Sequence, residues 1–291
     1  MNDGRRAPIS KLPSELVRRL NPRRRELVRP VLADPRNYVL LSIRKLADAL
    51  DSDAMTVLRA IRSMGFDGYG EFRTYLHELA LAQATQLDPM QARPARKGIA
   101  DQLRRSLSRD SANILALRQT IDVARVEAVA RRLYAARRIV LLGGDVAAVL
   151  VTFLQYNLAV IDLPAQACTR PGEVVHAVRG LGKSDVVIGI TFRRGLRQTV
   201  DGLQQAHAKG AYCVAITDTH LSPLARFAQE CFVVPIETTL YGVSYVAPMA
   251  LLNMLLVACA ATRKKRTMRL LKAADAEQRT GYRWHREDGL T

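Results

Sequence analysis

The sequence predicts two units in series: an all-α helix-turn-helix region, then an α/β domain whose parallel sheet is flanked by helices. Two observations carry this. Up to about Ala84 the apolar residues recur at helical spacing between turn residues, with no strand signal. From Arg138 onward short β-branched runs alternate with helical patterns, at Ile139–Leu142, Val186–Thr191, Tyr212–Thr217 and Cys231–Val234. That alternation specifies parallel strands joined by crossover helices. A length of 291 residues gives each unit enough chain to bury a core.

The elements follow in order. Pro22 marks a helix start and Asp34-Pro35 closes that segment, while Pro30 inside it leaves the helix geometry open. Ile43, Leu46, Ala47 and Leu50 then form one helical face, and Val57, Ala60, Ile61 and Met64 form the next. The turn between them is Asp51-Ser52-Asp53, in which Asp53 suits the amides and positive dipole of the second helix. That helix projects Ala54, Met55, Thr56, Arg59 and Arg62 outward. Small residues at its start allow close approach to a groove, and the hydroxyl and guanidiniums can bond to base edges or phosphates. The candidate DNA-contacting set is therefore Ser42, Arg44, Lys45, Asp53, Met55, Thr56, Arg59 and Arg62. A plain helical hairpin with solvated arginines fits the same pattern. Arg18, Arg19, Arg23, Arg24, Arg25 and Arg29, just upstream, tilt the balance toward a polyanion.

Pro89, Pro94 and Gly98 among basic residues make the stretch from Leu87 to about Arg109 a linker running into a further helix. The expected organisation is a helix-turn-helix domain over 1–84, linker and connecting helix over 85–122, an α/β domain over 123–265 and a basic tail over 266–291. In the α/β domain, three strand exits carry ligand chemistry. The first is Gly143-Gly144-Asp145, a tight turn feeding a helix through about Asn157. The second runs from Thr191 through Arg193, Arg194 and Gly195 to Thr199, placing hydroxyls and guanidiniums where open α/β sheets bind ligands. At the third, Ser222 caps a helix begun by Pro223. An anionic ligand is the inference, held by Gly143, Gly144, Asp145, Thr191, Arg193, Arg194, Gly195, Thr199 and Ser222.

Composition narrows the classes. The net charge of +17 attracts nucleic acid or another polyanion, but the excess is split almost evenly between the two halves and does not locate the site. Cys168, Cys213, Cys231 and Cys259 are far apart with no CxxC spacing, so neither zinc nor a redox pair is indicated; no metal and no cofactor is expected. The polar start, Met1 to Lys11, has no signal-peptide core, which points to the cytoplasm. The apolar stretch Val243 to Ala261 approaches the ~20 residues of a membrane span, but Ser244, Pro248 and Asn253 interrupt it, and a buried helix is expected instead.

Two segments also resemble known families. Ser42-Ile43-Arg44-Lys45-Leu46-Ala47, Thr56-Val57-Leu58-Arg59, Met64-Gly65-Phe66-Asp67-Gly68-Tyr69 and Glu71-Phe72-Arg73 resemble the N-terminal domain of RpiR-family bacterial transcription regulators. Gly65 reads as a left-handed helix cap, and Phe66, Tyr69 and Phe72 as core rather than base-stacking aromatics. The three strand exits resemble the SIS, or sugar isomerase, domain over about Val123 to Thr262. The resemblance implies a non-enzymatic regulator that binds double-stranded operator DNA as a homodimer or homotetramer and responds to a phosphosugar or related anionic metabolite. Two departures stand out. The family's first turn carries a Ser where this chain has Asp145, and its Ser-x-Ser-Gly-x-Thr turn is replaced by Thr191 followed by Arg193, Arg194 and Gly195. The competing readings are a phosphosugar isomerase with an added domain, using Glu173, Glu237, His176, His207 or His220, and a SIS-like unit that only assembles subunits.

Overall fold

A computed structural model describes residues 13–18, 20–83, 98–193 and 195–280. The first unit holds α1 (Pro13–Val17), α2 (Pro22–Ala33), α3 (Pro35–Tyr38), α4 (Ile43–Ala49), α5 (Ala54–Ser63) and α6 (Tyr69–Ala82). Asn21 caps α2, its Oδ1 accepting from the Arg24 amide at 2.9 Å, and Pro22 occupies the first turn. Pro30 is accommodated inside α2, and the Asp34 amide closes the helix on the Pro30 carbonyl at 3.0 Å. Gly65, at φ 101°, supplies the left-handed step that ends the α5 turn. The chain then returns to a core in which Phe66 meets Phe72 edge-on at 5.3 Å and Tyr75 at 5.2 Å. These aromatics are buried with Leu16, Val31, Leu46 and Ile61. Phe66 and Phe72 are core, as expected; Tyr69, expected with them, is only partly buried against the cluster and donates its hydroxyl to the Leu41 carbonyl at 2.6 Å.

Helix α7 (Ile99–Thr120) leads into the second unit; the Pro-bearing part of the expected linker lies outside the described residues. Asn113 on α7 is buried and donates to the Glu237 carbonyl at 2.8 Å, and Ser244 donates to Asp110 at 2.6 Å. The sheet comprises β1 (Ile139–Leu142), β2 (Ala165–Cys168), β3 (Val186–Ile190), β4 (Tyr212–Thr217) and β5 (Glu230–Val233). All neighbours pair in parallel in the order β2-β1-β3-β4-β5. Order reverses between β1 and β3, which places the ligand crevice of such a sheet outside their carboxyl ends.

Helices cover both faces. On one, Val129 and Leu133 of α8 (Val123–Ala135), Leu150 and Leu154 of α9 (Ala147–Val160) and Leu251 and Leu255 of α12 (Val246–Thr262) pack with Leu141, Ile188 and Ile190. On the other, Val174 and Val178 of α10 (Pro171–Arg179) and Leu203 of α11 (Arg197–Ala208) pack with Val140, Leu142 and Val187. The apolar stretch around Leu251 is therefore a core helix. Among the described residues no single helix is long and apolar enough to cross a membrane.

Three local features differ from the sequence expectation. Strand β2 was not predicted. After Ser222-Pro223 the chain forms a 3-10 turn (Pro223–Phe227) rather than an α-helix. The basic segment expected as a tail is helical, α13 (Lys264–Thr280), with Arg266 paired to Asp162 and Thr267 buried.

Candidate nucleic-acid interface and ligand edge

Helix α5 buries Val57, Ala60 and Ile61 and exposes Met55, Arg59 and Arg62 on the opposite side. Its start is fixed by Asp53, whose two carboxylate oxygens accept from the Thr56 amide at 2.8 Å and the Thr56 hydroxyl at 2.6 Å. The Thr56 hydroxyl, then its amide, holds the Asp53 carboxyl below the usual range. Ser42 caps α4 by accepting from the Lys45 amide at 3.4 Å, while Arg44 and Lys45 point to solvent. The predicted DNA set thus divides into caps, Ser42 and Asp53 with Thr56, and outward groups, Arg44, Lys45, Met55, Arg59 and Arg62. The fold adds α2 to this surface. A cleft of about 480 Å³ brings Asn21, Arg23 and Arg24 beside Ser52, Thr56 and Arg59. Arg24 also donates to the Ser63 hydroxyl at 2.7 Å, holding α2 against the end of α5. Arg19 lies outside the described residues.

At the β1/β3 switch point the two predicted turns are pressed together. Gly143 and Gly144 are buried, and a Cβ on Gly144 would stand 2.6 Å from Gln198 Nε2 and 3.2 Å from the Thr169 carbonyl. Gln198 donates to that carbonyl at 2.9 Å, and the Leu196 amide donates to the Thr191 hydroxyl at 3.1 Å. Thr199 is wholly buried and its hydroxyl has no hydrogen-bond partner among the described residues. Asp145 is exposed at φ 54° on the crevice rim. Arg193, at φ 61°, donates its amide to Asp218 Oδ1 at 2.9 Å and holds its guanidinium 3.9 Å from Oδ2. Burial pushes the Asp218 carboxyl above the usual range, opposed by Arg193. Gly195 follows at φ 73°, and Arg194 lies outside the described residues. Ser222 is buried and accepts from the Leu224 amide at 3.3 Å, so its hydroxyl is spent on the 3-10 turn.

Tyr245 was missed by sequence reasoning. It stacks edge-on against Phe192 at 5.6 Å, and burial, then Asp145 and Asp218, raise its hydroxyl pKa. This places Tyr245 with Asp145, Asp218 and Arg193 around one edge. The only hint in the sequence was an aromatic preceding the apolar helix.

The isomerase candidates fare differently. Glu173 accepts from the Thr169 amide at 2.8 Å, the Arg170 amide at 3.1 Å and Arg170 Nε at 2.8 Å. These bonds, the Arg170 side chain foremost, pull its pKa from 4.5 to about 2. A carboxylate so stabilised is a weak base. Because its folded pKa is depressed, its contribution to stability is present above about 4.5 and lost as pH falls toward about 2. Glu173→Gln is therefore expected to lower the melting temperature at neutral pH, with the deficit against wild type vanishing toward pH 2; a deficit independent of pH in thermal melts would contradict this. His176, His207, His220 and Glu237 are exposed. Cys168, Cys213 and Cys259 are free and buried, with burial pushing their thiols up to about 11 or 12. Among the described residues no cluster of His, Cys, Asp and Glu suits a metal.

A helix-turn-helix unit is joined to a doubly wound parallel sheet whose β1 and β3 exits are packed closely together. Residues 12–83 match the model of the helix-turn-helix domain, rpiR family, and residues 132–258 match that of the SIS domain. The chain thus carries an rpiR-type helix-turn-helix domain followed by a SIS domain, and its curated relatives are named as HTH-type transcriptional regulators. It is 23% identical over 268 residues to an uncharacterized HTH-type transcriptional regulator of Caldanaerobacter subterraneus, covering 89% of this chain and 92% of that protein. It is 29% identical over 229 residues to the HTH-type transcriptional regulator HexR of Pseudomonas aeruginosa, covering 76% and 78%. The fold is similar to that of the Vibrio vulnificus NanR protein complexed with ManNAc-6P, with a TM-score of 0.60 at 18% identity, covering 92% of this chain and 99% of that one. It is also similar to the sugar isomerase domain of the RpiR transcription factor from Sphaerobacter thermophilus, with a TM-score of 0.57 at 24% identity, covering 60% and 98%.

Proposed function

We propose that this regulator grips operator DNA through the outward face of α4 and α5, and that an anionic, sugar-derived metabolite bound at the β1/β3 edge shifts that grip without chemical turnover. The observation that carries the DNA reading is the surface itself. Met55, Arg59 and Arg62 stand opposite the buried face of α5, and Arg23 and Arg24 of α2 share a cleft with its first turn. A rigid N-terminal cap and flanking guanidiniums suit a helix presented to a major groove with phosphates on either side. For the second site, the support is the convergence of Gly143, Gly144, Thr191, Arg193 and Thr199 at a topological switch point, together with the phosphosugar ManNAc-6P that the similar Vibrio vulnificus NanR protein holds in its complex. The non-catalytic reading is supported by Glu173, held as a weak base by its caps. The organisation expected from the sequence, with DNA binding in 1–84 and ligand binding and self-association in 123–265, and action in the cytoplasm, belong to the same proposal.

The test is fluorescence anisotropy of the full chain with duplexes tiled across the DNA flanking its own gene, at physiological salt. One duplex is expected to bind about a thousandfold or more tighter than scrambled DNA of equal length. Equal affinity for all of them would refute the regulator's proposed mode of binding.

A further inference from the structure

The proposed ligand edge and the DNA-binding unit are in direct contact, and one of the contacts is made by Arg193, in the turn that departs from the family's pattern. Thr219, just beyond β4, donates its hydroxyl to Glu78 of α6 at 2.6 Å. Leu221, two residues on, is buried in the hydrophobic cluster of the first unit. Arg226 pairs with Glu15 of α1 at 3.2 Å. Between these joints and the β3 exit stands Arg193. Its guanidinium, with a side chain only 16% exposed, donates to the carbonyl of Leu81 in the last turn of α6 at 3.4 Å, and lies 3.9 Å from Asp218.

These two guanidinium contacts are long. A charge-assisted N–H···O bond settles near 2.7–2.9 Å and is about twice as strong as a neutral one. Arg193 reaches such a length only through its backbone amide, at 2.9 Å to Asp218. Its fork is therefore held in place but poorly satisfied, and an anion offering two oxygens at proper distance would outbid the neutral Leu81 carbonyl. Asp218 need not be abandoned. Its Oδ2 has no hydrogen-bond partner among the described residues, so a guanidinium drawn inward to an anion beside Thr191 and Gly195 can stay beside it. The contact that gives way is the tie to α6.

We propose that Arg193 is the residue through which the effector acts on the DNA-binding unit: without the effector it latches the last turn of α6, and an anion seated beside Thr191 and Gly195 takes the guanidinium and releases that latch. This rests on the reading of the β1/β3 edge as an anion site. It assigns that site's regulation to one side chain, and it makes α6 the element whose freedom the ligand controls. Population of the released state follows from the ligand's differential affinity alone.

Hydrogen exchange of the full chain tests this, with inorganic phosphate and gluconate as separate probes for a phosphate and a carboxylate anion. In wild type, the effective anion is expected to slow exchange across 191–199 and to speed it at 79–83 by about five-fold. Arg193→Gln is expected to show fast exchange at 79–83 without any anion and no further rise with one. Arg193→Lys, which keeps the charge without the fork, is expected to fall between them. Thr219→Val loosens a different joint and is expected to keep the anion response. Protection of the 191–199 turn with no change at 79–83 would overturn the latch and leave the site intact. Protection of that turn by neither anion would overturn the site reading, and the latch with it. Exchange at 79–83 in Arg193→Gln equal to wild type, or loss of the response in Thr219→Val, would show that Arg193 is not the link. Slow exchange of β3 and β4 amides in each variant establishes that the second unit remains folded.

Discussion

Arg59→Ala is expected to weaken operator binding by about tenfold to a hundredfold, the range of one good bidentate contact to a base, about 1–3 kcal/mol. Arg59 stands exposed on α5 and lines the cleft shared with Arg23, Arg24 and Thr56. Removing an exposed guanidinium should alter the chain's own stability by no more than about 0.5 kcal/mol, so the loss reads on the complex and not on folding. The salt dependence separates two roles. If Arg59 reads a base, affinity for the operator drops while affinity for scrambled duplex holds. If it neutralises a phosphate, both drop together and the slope of log affinity against log salt shrinks by about one. Arg44→Ala, on α4, is expected to behave in the second way, since a first helix crosses the backbone rather than entering the groove. Anisotropy titrations at several salt concentrations decide it, and unchanged operator affinity in Arg59→Ala would remove α5 as the reading helix.

Much of this surface was legible in the sequence because it is encoded locally. The apolar spacing of Ile43, Leu46 and Ala47, then Val57, Ala60 and Ile61, fixes both helices, and Asp53 is a cap by its position alone. Strands β1, β3, β4 and β5 were legible for the same reason, at least half of each being β-branched or aromatic. Strand β2 was not. Its sequence is Ala-Gln-Ala-Cys, with no intrinsic preference for extended structure, and it is a strand only because β1 pairs with it from Ile139–Ala165 to Leu142–Cys168. The ligand edge shows the same division. Gly143 and Gly144 announce a tight turn, but that Gly144 admits no side chain depends on Leu196 and Gln198, some fifty residues away. Arg193 read as an anion-binding cation. What engages it, Asp218 and the Leu81 carbonyl, comes from another strand and another unit, and no local pattern carries such a contact.

Leu221→Ala is expected to destabilise the DNA-binding unit from outside it. Leu221 belongs by chain position to the SIS domain, yet it is 4% exposed within the cluster that holds Leu16, Phe72 and Tyr75. Truncating a buried leucine costs about 2–5 kcal/mol. A unit of this size has a total stability of roughly 4–10 kcal/mol at 0.05–0.15 kcal/mol per residue, so the loss takes a large share of it. The ion pair at this junction cannot make up the difference: Arg226 and Glu15 are both about 40% exposed, and exposed pairs contribute about 0–1 kcal/mol. The expected result in scanning calorimetry is a melt that divides, with the first unit unfolding well below the second, accompanied by fast hydrogen exchange in α1 and α6 and by operator binding lost at the lower transition. A single transition shifted as a whole, with α1 and α6 amides as protected as in wild type, would mean that Leu221 serves only its own domain. The divided melt would mean that the sheet edge proposed to receive the ligand also supplies part of the core that holds α5, so that any ligand moving the segment 217–222 acts on the stability of the proposed reading helix itself.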